Sequence, residues 1–389
     1  MIQQYALKIP GTVYAGIGAL QNIPAILKRA EAKKIAVFTD PQLVKNGLAD
    51  SLLALLKEAG YEYAVLDQMV PEPSYAQAQE AVDAFHACGA DFIIALGGGS
   101  VMDIAKLAGV TLRGELCVKD LLDDSSLAQK RVKTLMIPTT AGTGAEATPN
   151  SIVAVPEKEL KVGIVNEAMI PDFVILDAEM IRNLPRPIAA ATGVDALCHA
   201  IECYTSRKAT PISDLFAMQA LEIIFANIEA ACDNADNMEA KGNMLLASFY
   251  AGVAIASSGT TAVHALSYPL GGKYHIAHGV SNAMLLAPVM RFNAPAMEAR
   301  LAKVCDRCFA AVELAGDSAK AAYVIEKLQQ IVESLNIPKS LRAFAVEESD
   351  IELLVEAAMQ VTRLLQNNVR ELSAQDAREI YQELFIVEA

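Results

Sequence analysis

The sequence predicts an α/β domain followed by an all-helical domain, and two observations lead to this fold class. Between Thr12 and Asp177, short apolar segments with strand character alternate with segments of helical period, which is the signature of a parallel sheet covered by helices. From Ile188 onward the strand pattern ends, and Ala-, Leu- and Glu-rich stretches of helical period replace it. We therefore predict domains at residues 1–184 and 185–389.

The composition excludes several classes of protein. The chain has 389 residues, enough for two domains that each have a core. The net charge of −14 and the lack of a basic patch argue against a nucleic-acid partner. No apolar run approaches the length of a transmembrane helix, and the N-terminus lacks a signal-peptide pattern. Seven scattered cysteines indicate free thiols in a reducing compartment, so we expect a cytoplasmic protein without a membrane partner.

The first strands of the α/β domain lead to an acidic residue. A strand predicted at residues 12–18 is followed by a helix to about Ala30, and the next strand, 34–40, ends at Asp40. A carboxylate at such a strand end accepts hydrogen bonds from an adenosine ribose and repels a 2′-phosphate. Asp40 therefore favours NAD over NADP if a dinucleotide binds. It is equally suited to cap a helix that begins at Pro41.

The alternation continues into a glycine-rich loop. The predicted elements are a helix at 43–59, a strand at 62–66, a helix at 75–88 and a strand at 91–96. The last of these strands runs directly into Gly97-Gly98-Gly99-Ser100, and Asp103 lies in the helix that follows. Glycines let the backbone approach a phosphate, and the helix N-terminus supplies free N–H groups to hold it. A tight turn explains the same residues, and the motif is neither G-x-G-x-x-G nor a Walker loop.

A second loop, rich in hydroxyl groups, follows the strand predicted at 133–138. Its small and hydroxylated residues suit close contact with the phosphates and riboses of a cofactor, although a structural turn accounts for them equally well. A hairpin predicted at 152–165 contains Lys161, which is long enough to reach a ribose or phosphate. The last predicted strand is 173–177. The hydroxyl-bearing residues of the loop include Thr139, Thr140 and Thr143.

Four of the five histidines lie in the predicted helical domain, near an aspartate. Asp195 and His199 are four residues apart in a helical segment, so they share one helix face. His264 and His278 flank a proline and two consecutive glycines, which we predict to break the helix and return the chain. One carboxylate with three imidazoles suits iron(II), zinc, cobalt or nickel better than magnesium or calcium. With His275 also present, the residues alone leave open which three histidines bind.

These motifs resemble those of the iron-dependent (group III) alcohol dehydrogenases, which include lactaldehyde reductase and 1,3-propanediol dehydrogenase. The resemblance covers nearly the whole chain and implies the fold shared by dehydroquinate synthase and iron-containing alcohol dehydrogenases. It also implies a homodimer or larger homo-oligomer. The motifs that carry it are Gly97-Gly98-Gly99-Ser100 with Asp103, Pro138-Thr139-Thr140-Ala141-Gly142-Thr143, Gly193-Val194-Asp195-Ala196 with His199, and His264 with His278-Gly279.

The resemblance assigns roles to these positions. It implies that Asp195, His199, His264 and His278 hold a divalent metal, usually iron(II), with zinc or another divalent ion also accepted. It further implies that NAD binds through the two loops and that cofactor and substrate meet in a cleft between the domains. The expected cofactor-binding residues are Asp40, Gly97, Gly98, Gly99, Ser100, Asp103, Thr139, Thr140, Thr143, Asn150 and Lys161.

One position departs from the family pattern. Many members carry another histidine four residues after the one that matches His264, whereas this chain has Tyr268. Tyr268 and His275 are therefore the candidates for the proton relay, although the usual pKa of tyrosine, about 10, makes it a less ready donor. The expected reaction is hydride transfer between NAD(H) and a small aldehyde or primary alcohol, in the direction of aldehyde reduction. The alternatives are a metal-assisted, NAD-using lyase of the dehydroquinate synthase type and a catalytically silent subunit.

Overall fold

The structure is a computed structural model that describes residues 5–158 and 160–386. The chain divides into two compact units, one formed by Lys8–Leu184 and the other by residues 5–7 together with the residues from Pro185 onward. The first unit has mixed strands and helices, and the second is helical. It stays a prediction that residues 1–184 bind the dinucleotide and that residues 185–389 bind metal and substrate.

The α/β unit is built from short strands and amphipathic helices, as the alternating sequence pattern indicates. Its described strands are β1 (Thr12–Ala15), β2 (Lys34–Phe38), β3 (Glu62–Leu66), β4 (Phe92–Gly97), β5 (Lys133–Pro138), β6 (Asn150–Val155), β7 (Leu160–Val165) and β8 (Phe173–Leu176). Its described helices are α1 (Ile23–Ala30), α2 (Pro41–Lys45), α3 (Asp50–Glu58), α4 (Tyr75–Cys88), α5 (Gly99–Ala108) and α6 (Val118–Asp123).

The main sheet is parallel and has the strand order β1-β8-β5-β4-β2-β3, while β6 and β7 form the predicted antiparallel hairpin. Central strands are buried on both faces: Ile35 and Val37 of β2 pack into one core, and Ala36 and Phe38 into the other. From β2 the chain moves outward to β3 and then returns to β4 on the opposite side of β2. Loops that leave neighbouring strands in opposite directions open a crevice at the carboxyl edge of the sheet, where α/β proteins bind ligands.

The second unit is helical, and no strand follows Leu176 within residues 177–386. By length and composition alone, one of its helices, α8 (Pro211–Asp233), would suffice to cross a membrane, as would the bent pair α9 (Met238–Ser258) and α10 (Ala262–Tyr274). In the structure, α8 packs against α7 (Arg186–Thr205) and α9. The helices are α7 (Arg186–Thr205), α8 (Pro211–Asp233), α9 (Met238–Ser258), α10 (Ala262–Tyr274), α11 (His278–Asn293), α12 (Glu298–Cys308), α13 (Asp317–Ser334), α14 (Ile351–Met359), α15 (Thr362–Leu365) and α16 (Ala374–Ile386).

Two helices predicted from the sequence are wrong in extent. The helix predicted at 43–59 is interrupted, because Gly47 adopts a left-handed φ of 75° and separates α2 from α3. Only glycine reaches that conformation at low cost. The helical period of residues 297–314 predicts a second helix there, but this helix ends at Cys308, after which Phe309 leaves helical geometry with φ −134° and ψ 46°.

The predicted break between His264 and His278 is also misplaced. Pro269 lies inside α10, which continues through both glycines and ends only where His275 adopts a φ of 55°. Every residue from Ala262 to Gly271 is buried. Tertiary packing therefore compensates for the backbone hydrogen bond that a proline inside a helix cannot donate.

Candidate active site

Four predicted metal ligands meet inside the helical unit. Asp195, His199, His264 and His278 each offer one ligand atom, and these atoms all lie within 4.8 Å of one another. The first two come from α7, the third from α10 and the fourth from the start of α11. Three of the residues are buried, while the side chain of His278 is 29% exposed. The arrangement selects three of the four clustered histidines and leaves His275 out.

The three imidazoles point at one carboxylate oxygen. The Nε2 atoms of His199, His264 and His278 lie 3.8, 3.7 and 3.7 Å from Oδ1 of Asp195. The His199 and His264 rings are stacked, with centroids 4.6 Å apart. Three imidazole nitrogens and a carboxylate that converge in this way are a donor set for a borderline divalent ion.

A glycine lets two of the contributing helices approach closely. A Cβ atom added to Gly279 would lie 2.2 Å from the carbonyl oxygen of Ala191. The backbone of α11 therefore meets that of α7 where any larger residue would separate them. This contact is adjacent to His278 and brings its side chain within reach of the α7 ligands.

The electrostatics of the cluster keep Asp195 ionised. Burial would raise the pKa of Asp195, but the imidazoles of His199, His278 and His264 and a hydrogen bond from Asn282 outweigh it and hold that pKa below its usual value. An ionised carboxylate surrounded by imidazole nitrogens is the state required to bind a cation.

Asn282 of α11 was missed by the sequence reasoning, although it lies one helical turn after His278. Its Nδ2 atom donates to Oδ1 of Asp195 at 2.7 Å and lies 3.2 and 3.3 Å from Nε2 of His264 and His278. Its Oδ1 atom is buried and has no hydrogen-bond partner. The NH₂ group of Asn282 thus lies among a carboxylate oxygen and two imidazole nitrogens. The space between these three atoms therefore suits a positively charged ion.

Glu202 is a second residue that the sequence reasoning missed. It lies three residues after His199 and seven after Asp195, so all three share one face of α7. Glu202 is fully buried, and its carboxylate contacts Nδ1 of His264. The i, i+4, i+7 spacing of Asp, His and Glu was the signal available in the sequence.

The two proton-relay candidates differ in position. Tyr268 is buried on α10, and its ring centroid lies 6.1 Å from that of His278. His275 is exposed at the C-terminal end of α10 and is not part of the four-residue cluster. The structure thus places Tyr268 beside a proposed metal ligand, whereas the relay role of either residue stays a prediction.

In the α/β unit, the glycine-rich loop (residues 97–100) and the threonine-rich loop (residues 139–148) touch one another at the carboxyl edge of the sheet. A Cβ on Gly99 would lie 2.9 Å from Cγ2 of Thr143 in the other loop, and one on Gly97 would lie 2.6 Å from Val101 in the helix that follows. No side chain fits at either position. The backbone of Gly99 therefore packs against the side chain of Thr143, and glycine is required for that contact between the loops.

This contact leaves polar groups without partners. Oγ1 of Thr140 is buried and has no hydrogen-bond partner, and it faces the space where a Cβ on Gly98 would lie at 3.6 Å. Gly98 precedes α5, whose first turn receives no side-chain cap. An unpartnered hydroxyl beside uncapped helix N–H groups fits the phosphate of a dinucleotide.

Ser100 and Lys161 are joined through a residue that the sequence reasoning did not single out. The N–H of Glu72 donates to Oγ of Ser100 at 3.1 Å, and a carboxylate oxygen of Glu72 lies 2.6 Å from Nζ of Lys161. Glu72 adopts a left-handed φ of 51°, which is uncommon outside glycine. The ammonium group of Lys161 is therefore paired within the protein, and its contact with a cofactor stays a prediction.

Asp103 and Asn150 belong to a buried polar cluster. Nζ of Lys106 lies 3.2 Å from Oδ1 of Asp103 and donates to Oγ1 of Thr148 and to the carbonyl oxygen of Asn150 at 3.1 and 2.7 Å. Oδ2 of Asp103 accepts from the N–H of Ile152 at 2.9 Å. Both carboxylate oxygens of Asp103 thus serve to hold α5 against β6.

Asp40 takes the capping role that the sequence left open. Its Oδ1 accepts from the N–H groups of Gln42 and Leu43, both at 2.9 Å, and so caps α2. Both bonds end on one oxygen, so the cap and a contact to ribose through Oδ2 are compatible. Thr139 is buried, and its N–H donates to the carbonyl oxygen of Gly97 at 3.0 Å.

Glu146 is an acidic residue in the threonine-rich loop. Its side chain is buried, and Oε1 has no hydrogen-bond partner. Burial raises the pKa of Glu146 to about 7, against the opposing effect of the Lys106 ammonium group. This carboxyl group therefore titrates near neutral pH.

Comparison with known proteins places these features in context. The model for iron-containing alcohol dehydrogenase matches residues 10–178, and the model for the C-terminal part of the Fe-containing alcohol dehydrogenase family matches residues 189–385. Long-chain-alcohol dehydrogenase 1 of Geobacillus thermodenitrificans is 37% identical over 97% of this chain and 95% of its own. NAD-dependent methanol dehydrogenase of Bacillus methanolicus is 32% identical over 96% of this chain and 97% of its own. A crystal structure of 1,3-propanediol oxidoreductase superposes with a TM-score of 0.92 at 30% identity, over 98% of this chain and all of that one.

Proposed function

Because this chain belongs to the iron-containing alcohol dehydrogenase family, we propose that Asp195, His199, His264 and His278 hold its divalent metal, iron(II) in the first instance. The chain is an NAD-linked oxidoreductase of alcohols and aldehydes, and its relatives include a long-chain-alcohol dehydrogenase and an NAD-dependent methanol dehydrogenase. The observation that carries the proposal is the convergence of the four ligand atoms within 4.8 Å. When bound, the ion supplies a Lewis acid that polarises the substrate oxygen.

The residues of the α/β unit bind and orient the dinucleotide. The glycine-rich loop, the uncapped first turn of α5 and Oγ1 of Thr140 bind the phosphates, since these groups combine close backbone approach with free donors. Asp40 binds the adenosine ribose through Oδ2 and disfavours a 2′-phosphate. This preference agrees with the NAD named for the methanol dehydrogenase relative.

Asp103 acts indirectly in this scheme. Its pairing with Lys106 fixes α5 against the start of β6, where Asn150 lies. A buried ion pair satisfied on both sides holds its neighbours in one geometry. Asp103 therefore keeps the glycine-rich loop in place, while Asn150 and Lys161 line the surface next to it.

Tyr268 is the proton-relay residue that the positions favour. Its ring lies beside His278, and its phenolic Oη is both a donor and an acceptor. In aldehyde reduction, Tyr268 passes a proton toward the carbonyl oxygen of the substrate, and solvent then reprotonates Tyr268. His275 is the alternative, reached from solvent at the end of α10.

The physiological substrate is a small aldehyde or primary alcohol, with aldehyde reduction as the main direction. The relatives are named for long-chain alcohols, methanol and 1,3-propanediol, so the tail of the substrate varies among similar proteins. The protein forms a homodimer or a larger homo-oligomer and acts in the cytoplasm.

The test is NADH oxidation by anaerobically purified, iron(II)-reconstituted protein with neutral, hydroxylated and acid-bearing short aldehydes. His264→Ala should lose both bound metal and turnover. His86→Ala is the matched control, because His86 lies in the α/β unit on α4 and should leave both unchanged. Retained metal and activity in the His264 variant would refute the ligand assignment. Turnover without net NADH consumption would favour the lyase, and metal without any turnover the silent subunit.

A further inference from the structure

Glu202 is a fully buried carboxylate on the face of α7 that also presents Asp195 and His199. Burying an ionised carboxylate is costly unless charge and hydrogen bonds compensate for it. Such a group is retained only where its contacts repay that cost. The two oxygens of Glu202 make contacts of different kinds, which separate a structural role from a role in positioning a ligand.

The first oxygen caps a neighbouring helix. Oε1 accepts from the N–H of Thr261 at 3.1 Å, the N–H of Val263 at 2.8 Å and Oγ1 of Thr261 at 2.7 Å. Thr261 precedes α10 but makes no side-chain cap of its own. Glu202 thus performs from α7 the capping that a serine or threonine usually performs within a helix, and its charge is stabilised by the helix N-terminus. This fixes where α10 begins, two residues before His264.

The second oxygen contacts the imidazole of His264 directly. Oε2 faces Nδ1 of that ring, and a carboxylate oxygen accepts but does not donate. Nδ1 must therefore carry the proton, and in the neutral ring Nε2 then keeps its lone pair. Nε2 is the atom directed at Asp195, 3.7 Å from Oδ1. A cap alone would need only one oxygen of Glu202, so the second oxygen is what the structural role leaves unexplained.

We infer that Glu202 is a positioning residue for the metal site: one carboxylate sets both the location of His264 and the tautomer that exposes Nε2 to the ion. The inference rests on the proposed metal site and deepens it. Partners of this kind on a ligand histidine orient the ring and raise its basicity. The sequence consequence is that the functional motif on α7 extends from Asp195 and His199 to Glu202.

Glu202→Gln separates the two roles. The glutamine Oε1 can still accept from the N–H groups at the start of α10. The opposite orientation is disfavoured, because it would place the NH₂ donors of glutamine against these N–H donors. The NH₂ group then faces Nδ1 of His264 and donates to it. The ring must adopt the other tautomer, with its proton on Nε2, where it blocks metal binding.

The measurement is the dissociation constant for cobalt(II), by chelator competition and visible absorption, on the full-length protein at one pH. We expect Glu202→Gln to weaken cobalt binding by about 10–100-fold and to alter the visible spectrum of the bound ion. Thr261→Val is the matched control: it removes one hydrogen bond to Oε1 and leaves Oε2 untouched, so we expect a change of less than about threefold. Cobalt binding and a spectrum equal to wild type in Glu202→Gln would overturn the inference.

A measurement on the unaltered protein covers the case in which Glu202→Gln does not fold. In zinc-loaded protein labelled with ¹⁵N-histidine, only five histidines contribute signals, and Nδ1 of His264 should be protonated. An unprotonated Nδ1 would contradict the inference without any substitution. His264→Ala distinguishes the two levels: if it keeps its metal, the proposed site fails, whereas an unaffected Glu202→Gln beside a metal-free His264→Ala refutes only the role of Glu202.

Discussion

Replacing Glu146 by glutamine should change how the stability of the metal- and cofactor-free protein depends on pH. The pKa of Glu146 is about 7 in the folded chain, against a reference value of 4.5. Between these values the folded state binds a proton that the unfolded state has released, so the free energy of unfolding falls as pH rises. The carboxyl contribution is therefore fully present at low pH and is lost as pH rises through about 7. Glutamine has nearly the same shape as glutamate, but its side chain does not titrate.

The size of the effect follows from the two pKa values. Integrating the linkage relation for one group, wild type should lose about 2.5 kcal/mol relative to Glu146→Gln between about pH 5 and about pH 8. The assay is urea unfolding of both proteins across that range, compared as a difference so that shared titrations cancel. Glu115→Gln, at an exposed site, is the control and should follow wild type. A constant difference between wild type and Glu146→Gln across the range would refute the argument.

Three further substitutions test the two sites. Thr140→Val removes a buried hydroxyl without a partner, so it should leave stability unchanged or raise it by about 1 kcal/mol while it weakens NADH binding, measured by fluorescence titration. Gly99→Ala places a Cβ 2.9 Å from Cγ2 of Thr143, so the loops must separate and the NADH dissociation constant should rise on the order of tenfold; unchanged binding would contradict the loop contact. Tyr268→Phe should lower kcat about 100-fold with little change in bound metal, and a larger loss in His275→Ala would transfer the relay role to His275.

Much of the fold could be predicted from the sequence because its signals are local. The helix Tyr75–Cys88 and the strand Lys133–Pro138 appear at their predicted positions, since an apolar period with a clear start and stop needs no tertiary information. Pro269 shows the limit. Its intrinsic tendency to break a helix is outweighed by burial of α10, and burial depends on helices far away in the sequence.

The candidate site likewise contains residues that the sequence reveals and residues that it does not. Asp195 and His199 are recognisable because helical periodicity places them on one face. The histidine on α11 joins them only because Gly279 lets two backbones approach, and no local pattern reports that distance. Glu202 was overlooked since its partners, Thr261 and the ring of His264, lie on another helix. Side chains that position a ligand are defined by tertiary contacts, which a single sequence does not display.

The convergence of α7, α10 and α11 has a consequence for the lifetime of the protein. An ion held by Asp195, His199, His264 and His278 would connect three segments that are far apart along the chain, as a covalent crosslink does, and would bind the folded state in preference to the unfolded one. Loss of the ion therefore removes a constraint on chain opening. We expect the metal-free chain to be the form that proteases degrade first, so that the amount of protein in a cell would follow its supply of metal.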